Sequence, residues 1–141
     1  MTRYTLNNED DLLPICKTLA EQLEPGTCIL LDGPLGAGKT TFTRHLGEAL
    51  NSQDPINSPT YSLVQTYPCN HPTIKTIHHM DLYRLTSQTD IESLDLDRYL
   101  NTPNAICIIE WSKKWKNPPT ENILEISLTI EGDTRTLQLT R

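Results

Sequence analysis

The 141-residue sequence lacks the features of secreted, membrane-spanning and disulfide-stabilised proteins. No apolar run approaches the ~20 residues that a transmembrane helix needs, and the first residues are too polar for a signal peptide. The four cysteines lie far apart and show no C-x-x-C spacing, which argues against a disulfide framework or a zinc ribbon. We therefore expect a cytoplasmic protein with free thiols and no membrane association.

Positive charge is also scarce. Twelve lysines and arginines stand against eighteen acidic residues, and the resulting formal net charge of -6 repels a polyanion at long range. This balance argues against a protein that binds nucleic acid over its whole surface, while a local basic patch stays open. The sequence has no internal repeat, low-complexity tract or linker-like stretch, so it predicts a single domain over residues 1–141.

The chain does contain alternating helix and strand patterns. Helical spacing of apolar residues occurs in three segments: residues 10–23, 40–50 and 89–100. Strand patterns occur in six segments: residues 27–31, 61–67, 74–80, 105–109, 123–130 and 134–140. The first and fourth of these strands are wholly apolar, as buried parallel strands are, whereas the last two alternate around a Glu-Gly-Asp turn. The pattern predicts an α/β fold, with a mainly parallel sheet, flanking helices and a C-terminal antiparallel hairpin.

The most specific motif, GPLGAGKT at residues 33–40, lies between a predicted strand and a predicted helix. It fits the P-loop pattern G-x-x-x-x-G-K-[ST], in which backbone N–H groups and a helix N-terminus hold phosphates. In this pattern Lys39 reaches the β- and γ-phosphates, Thr40 ligates Mg²⁺ and Thr41 binds the inner phosphates. The nucleotide-binding residues predicted in the loop are Gly33, Gly36, Ala37, Gly38, Lys39, Thr40 and Thr41.

A Mg²⁺ site of this kind also needs an acidic residue at the carboxyl end of a neighbouring strand. Asp81 follows TIKTIHHM, and Glu110 follows the more apolar AICII. We prefer Glu110 for the metal and assign Asp81 to positioning a water or sensing the γ-phosphate; the alternative for each is a polar strand end at the surface. His79 shares a strand face with Asp81, but a zinc site is not favoured without further ligands at metal spacing.

Two further segments carry a functional and a structural alternative. Thr60, in SPTY, lies where NTPases place a segment that the γ-phosphate orders, and it is equally compatible with an ordinary loop boundary. The stretch EWSKKWK interleaves tryptophan with lysine at Trp111, Lys113, Lys114, Trp115 and Lys116. That composition is typical of a surface that meets phosphates, bases or a partner, and also of a solvated charged run with two packed tryptophans.

Taken together, GPLGAGKTT, SPTY, HMDLYR and IEW resemble, in order and spacing, the motifs of the TsaE (formerly YjeE) family of bacterial P-loop ATPases. The resemblance covers the chain from its first helix through Trp111. It implies an ATPase that supports the threonylcarbamoyl transferase complex, which forms N6-threonylcarbamoyladenosine at position 37 of tRNAs reading ANN codons. The implied partners are subunits of the TsaD and TsaB families, with tRNA contacted indirectly and no DNA.

The resemblance also implies roles for single residues. Thr40 and Glu110 would ligate Mg²⁺, while Thr60 and Asp81 would lie near the γ-phosphate of ATP and be needed for hydrolysis. The segment that includes Glu9 would close over the adenine side. Family members often carry glycine at the position of Asp95, which implies a left-handed turn that aspartate adopts at modest cost.

The same P-loop is compatible with a small-molecule or nucleoside kinase, which is the alternative function. A kinase needs an acceptor pocket and usually an arginine-bearing lid, whereas this chain has few arginines and only Arg84 lies in a motif. The scarcity of arginine also predicts slow ATP hydrolysis by the isolated protein, because no arginine finger is evident. A nucleotide-binding scaffold without catalysis is a third class.

Overall fold

The computed structural model describes residues 1–56 and 63–141. Within these ranges, seven strands form one sheet. They are β1 (Thr2–Leu6), β2 (Cys28–Asp32), β3 (Val64–Pro68), β4 (Thr76–Asp81), β5 (Ala105–Glu110), β6 (Ile123–Glu131) and β7 (Thr134–Thr140). The α-helices are α1 (Leu12–Gln22), α2 (Lys39–Ala49), α3 (Gln88–Ser93) and α4 (Leu96–Leu100). Two short 3₁₀ helices, Glu9–Asp11 and Ser112–Lys114, precede α1 and follow β5.

The strand order is β1-β7-β6-β2-β5-β4-β3. Strands β6, β2, β5 and β4 are parallel neighbours, and β3, β7 and β1 join as antiparallel strands towards the two edges. The predicted fold class is confirmed, including the parallel core and the C-terminal hairpin of β6 and β7. Strands β2, β4 and β5 are parallel, so their carboxyl ends lie side by side. Their last residues are Asp32, Asp81 and Glu110.

Both faces of the central strand β2 are covered. Ile29 and Leu31 belong to one hydrophobic cluster with residues of α1 and α2, whereas Cys28 and Leu30 belong to a second cluster with residues of α3 and α4. Burying an aliphatic side chain of this size stabilises the fold by roughly 1.5–3 kcal/mol, so these clusters fix the strand ends that carry the acidic residues. None of the helices in the described ranges combines the length and apolar character of a membrane span.

The prediction of one continuous helix over residues 89–100 is wrong. The segment is divided into α3 and α4 at Asp95, which has φ 53° and ψ 57°. This is the left-handed conformation expected at that position, and it turns the chain because a right-handed helix cannot pass through it. Both short helices still place an apolar residue, Ile91 and Leu96, in the second cluster.

The largest departures from the predicted strands are at β1 and β3, while β4 begins two residues later than predicted, at Thr76. Strand β1 is absent from the predicted strands, because its five residues are mostly polar and exposed and are held by pairing with β7. Strand β3 spans Val64–Pro68; of the predicted range 61–67, residues 61 and 62 lie outside the described residues.

The four cysteines are free thiols, as the sequence predicts. They are buried, and this burial raises the pKa of the Cys28 and Cys107 thiols to about 12. The two residues are register partners on β2 and β5 and pack as small apolar side chains in the second cluster.

Candidate functional site

The glycine-rich loop at residues 33–40 connects β2 to α2 in the predicted strand-to-helix context. Gly38 is the residue before the first turn of α2 and has φ 105°, a backbone conformation that residues other than glycine rarely adopt. A Cβ atom at Gly33 would lie 2.5 Å from the carbonyl oxygen of Leu128 on β6. These glycines therefore let the loop pass close to the sheet and enter the helix with its N–H groups directed at the loop.

A cavity of about 330 Å³ lies between this loop and the ends of β4 and β5. It is lined by Leu35, Gly36, Gly38, Lys39, Thr40, Thr41, Asp81, Tyr83, Glu110 and Trp111. We call it the Asp81 cavity. It brings together the lysine and the two threonines of the loop with both acidic residues that the sequence singles out.

Lys39 is a buried cation in this cavity, with 7% of its surface exposed. Its ammonium donates hydrogen bonds to the carbonyl oxygens of Gly33 at 2.5 Å and Pro34 at 3.1 Å, and it lies 4.4 Å from the ring centroid of Trp111. Desolvation lowers the pKa of Lys39. Neighbouring carboxylates oppose this shift, and the charge of Glu110 opposes it most. The site thus holds a partly desolvated positive charge that can bind a phosphate oxygen, beside carboxylates that suit a cation.

Glu110, at the end of β5, is 3% exposed and pairs with a fully buried histidine. Its Oε2 lies 2.5 Å from Nε2 of His79 on β4. Its other carboxylate oxygen has no hydrogen bond to the described residues, and Thr40 lines the same cavity. A hydroxyl and a carboxylate oxygen are hard donors that suit Mg²⁺ completed by waters, so these two residues fit the predicted ion.

Asp81 and Glu110 are register partners at the ends of the parallel strands β4 and β5. The Asp81 carboxylate accepts a hydrogen bond from the backbone N–H of Tyr83 at 2.9 Å. Desolvation raises the pKa of Asp81, and the neighbouring Glu110 charge acts in the same direction, while the Tyr83 N–H opposes both. The residue is therefore a half-buried carboxylate with a fixed orientation beside the loop, rather than a solvated strand end.

Trp111 follows Glu110 in a left-handed conformation, with φ 57° and ψ 38°. Such a conformation is strained for a bulky side chain and is found where the surrounding structure requires it. The tryptophan ring packs 4.9 Å from that of Tyr83 and covers the Lys39 ammonium. The next residue, Ser112, donates its hydroxyl to Asp32 at 2.7 Å and so ties this segment to the end of β2.

A second cavity, of about 280 Å³, lies on the other side of the glycine-rich loop. It is lined by Leu6, Asn7, Asn8, Glu9, Leu12, Gly36, Ala37, Gly38, Thr41, Leu128, Asp133 and Arg135. We call it the Glu9 cavity. Gly36, Gly38 and Thr41 line both cavities, so the two adjoin along the start of α2.

Glu9 lies at the mouth of this second cavity and is bonded to α2. Its Oε1 accepts a hydrogen bond from Arg44 at 2.9 Å and lies 3.0 Å from Nε2 of His45. The hydrogen bond from Arg44 is the largest cause of a lowered pKa at Glu9, and the hydrogen bond with His45 is the next largest. Asp11 in turn accepts the backbone N–H groups of residues 7–8, which fixes the approach of the chain to the loop.

Two groups of residues at the site were not assigned from the sequence. The sequence alone raises His79 only as a candidate zinc ligand, whereas the structure pairs it with Glu110; the pairing depends on the register of β4 and β5, which no local pattern encodes. Asp133 reaches the Glu9 cavity from the hairpin turn and Arg135 from the start of β7, and the sequence carries no signal for either beyond the turn itself. Thr60 lies outside the described residues.

With this geometry in hand, comparison with known proteins identifies the family. Residues 6–137 match the family described as "Threonylcarbamoyl adenosine biosynthesis protein TsaE". The chain belongs to the TsaE family. The matched range contains the glycine-rich loop, Asp81 and Glu110.

Individual relatives give the same result. The chain is 39% identical over 137 residues to the "tRNA threonylcarbamoyladenosine biosynthesis protein TsaE" of Rickettsia felis, covering 94% of this chain and 75% of that one. It is 35% identical over 144 residues to the protein of the same name from Haemophilus influenzae, covering 99% and 88%. Among solved structures it is similar to the crystal structure of YdiB from Bacillus subtilis, with a TM-score of 0.72 and 26% identity over 98% of this chain and 83% of that one.

Membership of the TsaE family confirms the resemblance that the four motifs carry. It associates the chain with tRNA threonylcarbamoyladenosine biosynthesis and favours that role over a small-molecule or nucleoside kinase. The site therefore has to be interpreted as part of a tRNA-modification pathway.

Proposed function

We propose that this protein binds ATP with Mg²⁺ and hydrolyses it to support the threonylcarbamoyl transferase complex of that pathway. Its partners in this proposal are cytoplasmic subunits of the TsaD and TsaB families, and tRNA is reached through them. The relatives carry the pathway in their names. The ATPase activity and the partners are the parts that go beyond family membership.

The observation that carries the proposal is that the two cavities adjoin along the glycine-rich loop, where they share Gly36, Gly38 and Thr41. The Asp81 cavity collects the charged groups that a terminal phosphate and a divalent cation need. The Glu9 cavity adds the apolar side chains of Leu6, Leu12 and Leu128 beside polar ones, which suits a nucleoside. A nucleoside triphosphate laid across Thr41 would have its phosphates in the first cavity and its base in the second.

Within this arrangement, each residue of the Asp81 cavity has a distinct task. Lys39 exchanges the carbonyl oxygens of Gly33 and Pro34 for phosphate oxygens, which bind an ammonium more strongly because they are charged. Thr40 and Glu110 would hold Mg²⁺, which when bound supplies neutralisation of phosphate charge. The N–H groups at the start of α2 bind the phosphates through their partial positive charge.

Asp81 is the residue we assign to hydrolysis. Its carboxylate lies beside the loop and is held by the Tyr83 N–H, so it can orient a water and accept its proton. Burial raises its pKa, which makes the carboxylate a better proton acceptor than a solvated aspartate. Arg84 is exposed and is not among the residues that line this cavity, so we expect slow hydrolysis until partners complete the site.

The first test is ATP hydrolysis by the purified protein, alone and with TsaD, TsaB and tRNA, for the wild type and Glu110→Ala. We expect slow turnover alone, stimulation by the partners, and a loss of at least about 100-fold in Glu110→Ala because a group that stabilises phosphate charge is removed. Glu121→Ala, an exposed acidic residue outside the site, is the matched control and should hydrolyse ATP like the wild type.

Other outcomes would contradict separate parts of the proposal. Turnover that is the same with and without partners would show that the hydrolysis does not serve the transferase complex. Full activity in Glu110→Ala would remove this residue from the metal site. An isolated protein as fast as a typical kinase, on the order of 10 per second, would contradict the dependence on partners.

A further inference from the structure

The basic segment after β5 does not form the uniform surface that its sequence suggests. Lys114 is half-buried, and its ammonium donates hydrogen bonds to the carbonyl oxygens of Tyr83 and Leu85, the latter at 3.2 Å. The same ammonium lies 5.3 Å from the ring centroid of Tyr83. Lys113, by contrast, is exposed and has no hydrogen bond or ion pair with the residues that the structure describes.

A glutamine at the start of α3 also bonds to the segment after β5. The side-chain amide of Gln88 donates to the carbonyl oxygen of Lys114 at 2.5 Å, and its oxygen accepts the backbone N–H of Lys116 at 3.1 Å. These contacts and those of the Lys114 ammonium join the loop after β4 and the first residue of α3 to the segment after β5. We call the set of four hydrogen bonds the Lys114 bridge.

The Lys114 bridge ends at a residue that also holds Asp81. The N–H of Tyr83 donates to the Asp81 carboxylate, and the C=O of the same residue accepts from Lys114. The preceding residue, Leu82, donates its N–H to the carbonyl oxygen of Glu110 at 3.1 Å. The backbone at Tyr83 is therefore fixed on both sides, and its N–H is the group that sets the direction of the Asp81 carboxylate.

We propose that Lys114 is a positioning residue for Asp81, acting through the backbone of Tyr83. The inference rests on the hydrolytic role proposed for Asp81 and adds a residue that none of the four family motifs contains. A half-buried ammonium bonded to two carbonyl oxygens holds a turn more rigidly than packing alone, because charge-assisted hydrogen bonds are directional and strong. Loss of the bridge should misplace the Asp81 carboxylate while leaving the nucleotide-binding loop intact.

The test compares Lys114→Met with Lys113→Met, since both remove one charge from neighbouring positions and only the first removes the two hydrogen bonds that the ammonium contributes to the bridge. We expect kcat for ATP hydrolysis to fall about 10-fold in Lys114→Met, because small displacements of a catalytic group cost this much or more. The dissociation constant for ADP, measured by calorimetry, should change by less than about 2-fold. Lys113→Met should match the wild type, and Lys114→Arg should restore part of the activity.

Two further measurements separate positioning from general stability. In the Asp81→Asn background, Lys114→Met should cost no further activity, because residues that act through one another are not additive. Full additivity, or an equal fall in ADP affinity, would overturn the proposal.

Amide hydrogen exchange gives a result that does not depend on ATP hydrolysis. The Tyr83 N–H should exchange at least about 10-fold faster in Lys114→Met than in Lys113→Met. Unchanged exchange at Tyr83 would overturn the inference even if the protein hydrolyses ATP. Faster exchange in a protein whose wild type shows no hydrolysis would instead contradict the proposed function.

Discussion

Two regions of the same sheet differ in what they bury. The site region comprises β2, β4, β5 and the segments that follow them, and its buried polar side chains are Lys39, Thr43, His78, His79, Glu110 and Ser112. In the hairpin region of β1, β6 and β7, Thr136 is the one buried polar side chain among the described residues. Buried charge is expensive and persists where it has a task, whereas apolar burial stabilises directly. The site region therefore concentrates the buried charge, whereas the hairpin region, which also lends Leu128 and Arg135 to the Glu9 cavity, buries mainly apolar side chains.

Backbone conformation shows the same contrast. In the hairpin turn, positive φ falls on a glycine, Gly132, where it carries no steric cost. In the site region it falls on glycines of the loop, such as Gly38, and also on Trp111, where a bulky side chain makes the conformation unfavourable by roughly 1–3 kcal/mol. If this contrast reflects a division of labour, substitutions in the two regions should separate activity from stability.

The largest effect is expected from Lys39→Met in the site region. We expect nucleotide binding and hydrolysis to fall on the order of 100-fold or more, because the substitution removes the cation that binds phosphate. The free energy of unfolding should change by less than about 1 kcal/mol, since desolvation already disfavours the charged form of this lysine. Calorimetry with ADP and urea denaturation measure the two quantities.

Lys17→Met is the matched control for that experiment, because Lys17 is an exposed lysine on α1. It should leave both nucleotide affinity and stability at wild-type values. A loss of several kcal/mol of stability in Lys39→Met, with nucleotide affinity preserved, would show that this lysine is structural and would end the contrast between the regions.

The opposite result is expected from Leu137→Ala in the hairpin region. Leu137 is fully buried on β7, in register with Tyr4 on β1 and Leu128 on β6. Its truncation should lower the free energy of unfolding by about 2–5 kcal/mol through lost burial and a residual cavity. Under conditions where the variant is folded, kcat should equal that of the wild type.

Urea denaturation and ATP hydrolysis at the same temperature check this second expectation. Leu139→Ala, at a partly exposed position on the same strand, should cost less stability. A folded Leu137→Ala protein with strongly reduced kcat would instead show that the hairpin region is coupled to the chemistry.

The sequence predicts well what depends on local pattern. The apolar runs located β2 and β5, the alternating runs located the hairpin, and the glycine-rich loop with Asp81 and Glu110 located the Asp81 cavity. Each of these signals is contained in a few consecutive residues, because strand ends and phosphate-binding loops are defined by short-range chemistry.

What the sequence did not predict depends on contacts between distant segments. Strand β1 exists because β7 pairs with it, and His79 meets Glu110 because β4 and β5 align in one register. The inward orientation of Lys114 likewise depends on the loop after β4, 29 and 31 residues away along the chain. From local composition, the orientation expected for this lysine is the same as that for the neighbouring lysines. Only the packed structure distinguishes them.

The smallest effect, and a sharper view of the site region, is expected at His78. This residue is next to His79 on β4 but faces the opposite side, where Nδ1 lies 2.8 Å from the Thr66 hydroxyl and Nε2 lies 3.2 Å from that of Thr102. Desolvation lowers the pKa of His78, and the Arg98 charge adds to this; the ring of Tyr99 packs against it. The folded protein thus keeps this histidine neutral at a pH where the unfolded chain binds a proton.

Because the unfolded state then binds more protons, stability should fall as the pH drops from about 6.5 towards the lowered pKa of the folded state. We expect His78→Gln, which keeps hydrogen-bonding capacity without titrating, to lose less stability between pH 7.5 and pH 5.5 than the wild type. Urea denaturation at the two pH values measures the difference, with kcat at pH 7.5 as the check that the site is intact. An identical pH dependence of the free energy of unfolding in both proteins would show that His78 has the same pKa in the folded and unfolded states. Burial of this histidine would then carry no protonation cost, and any such cost in the site region would lie on the face that carries His79 and Glu110.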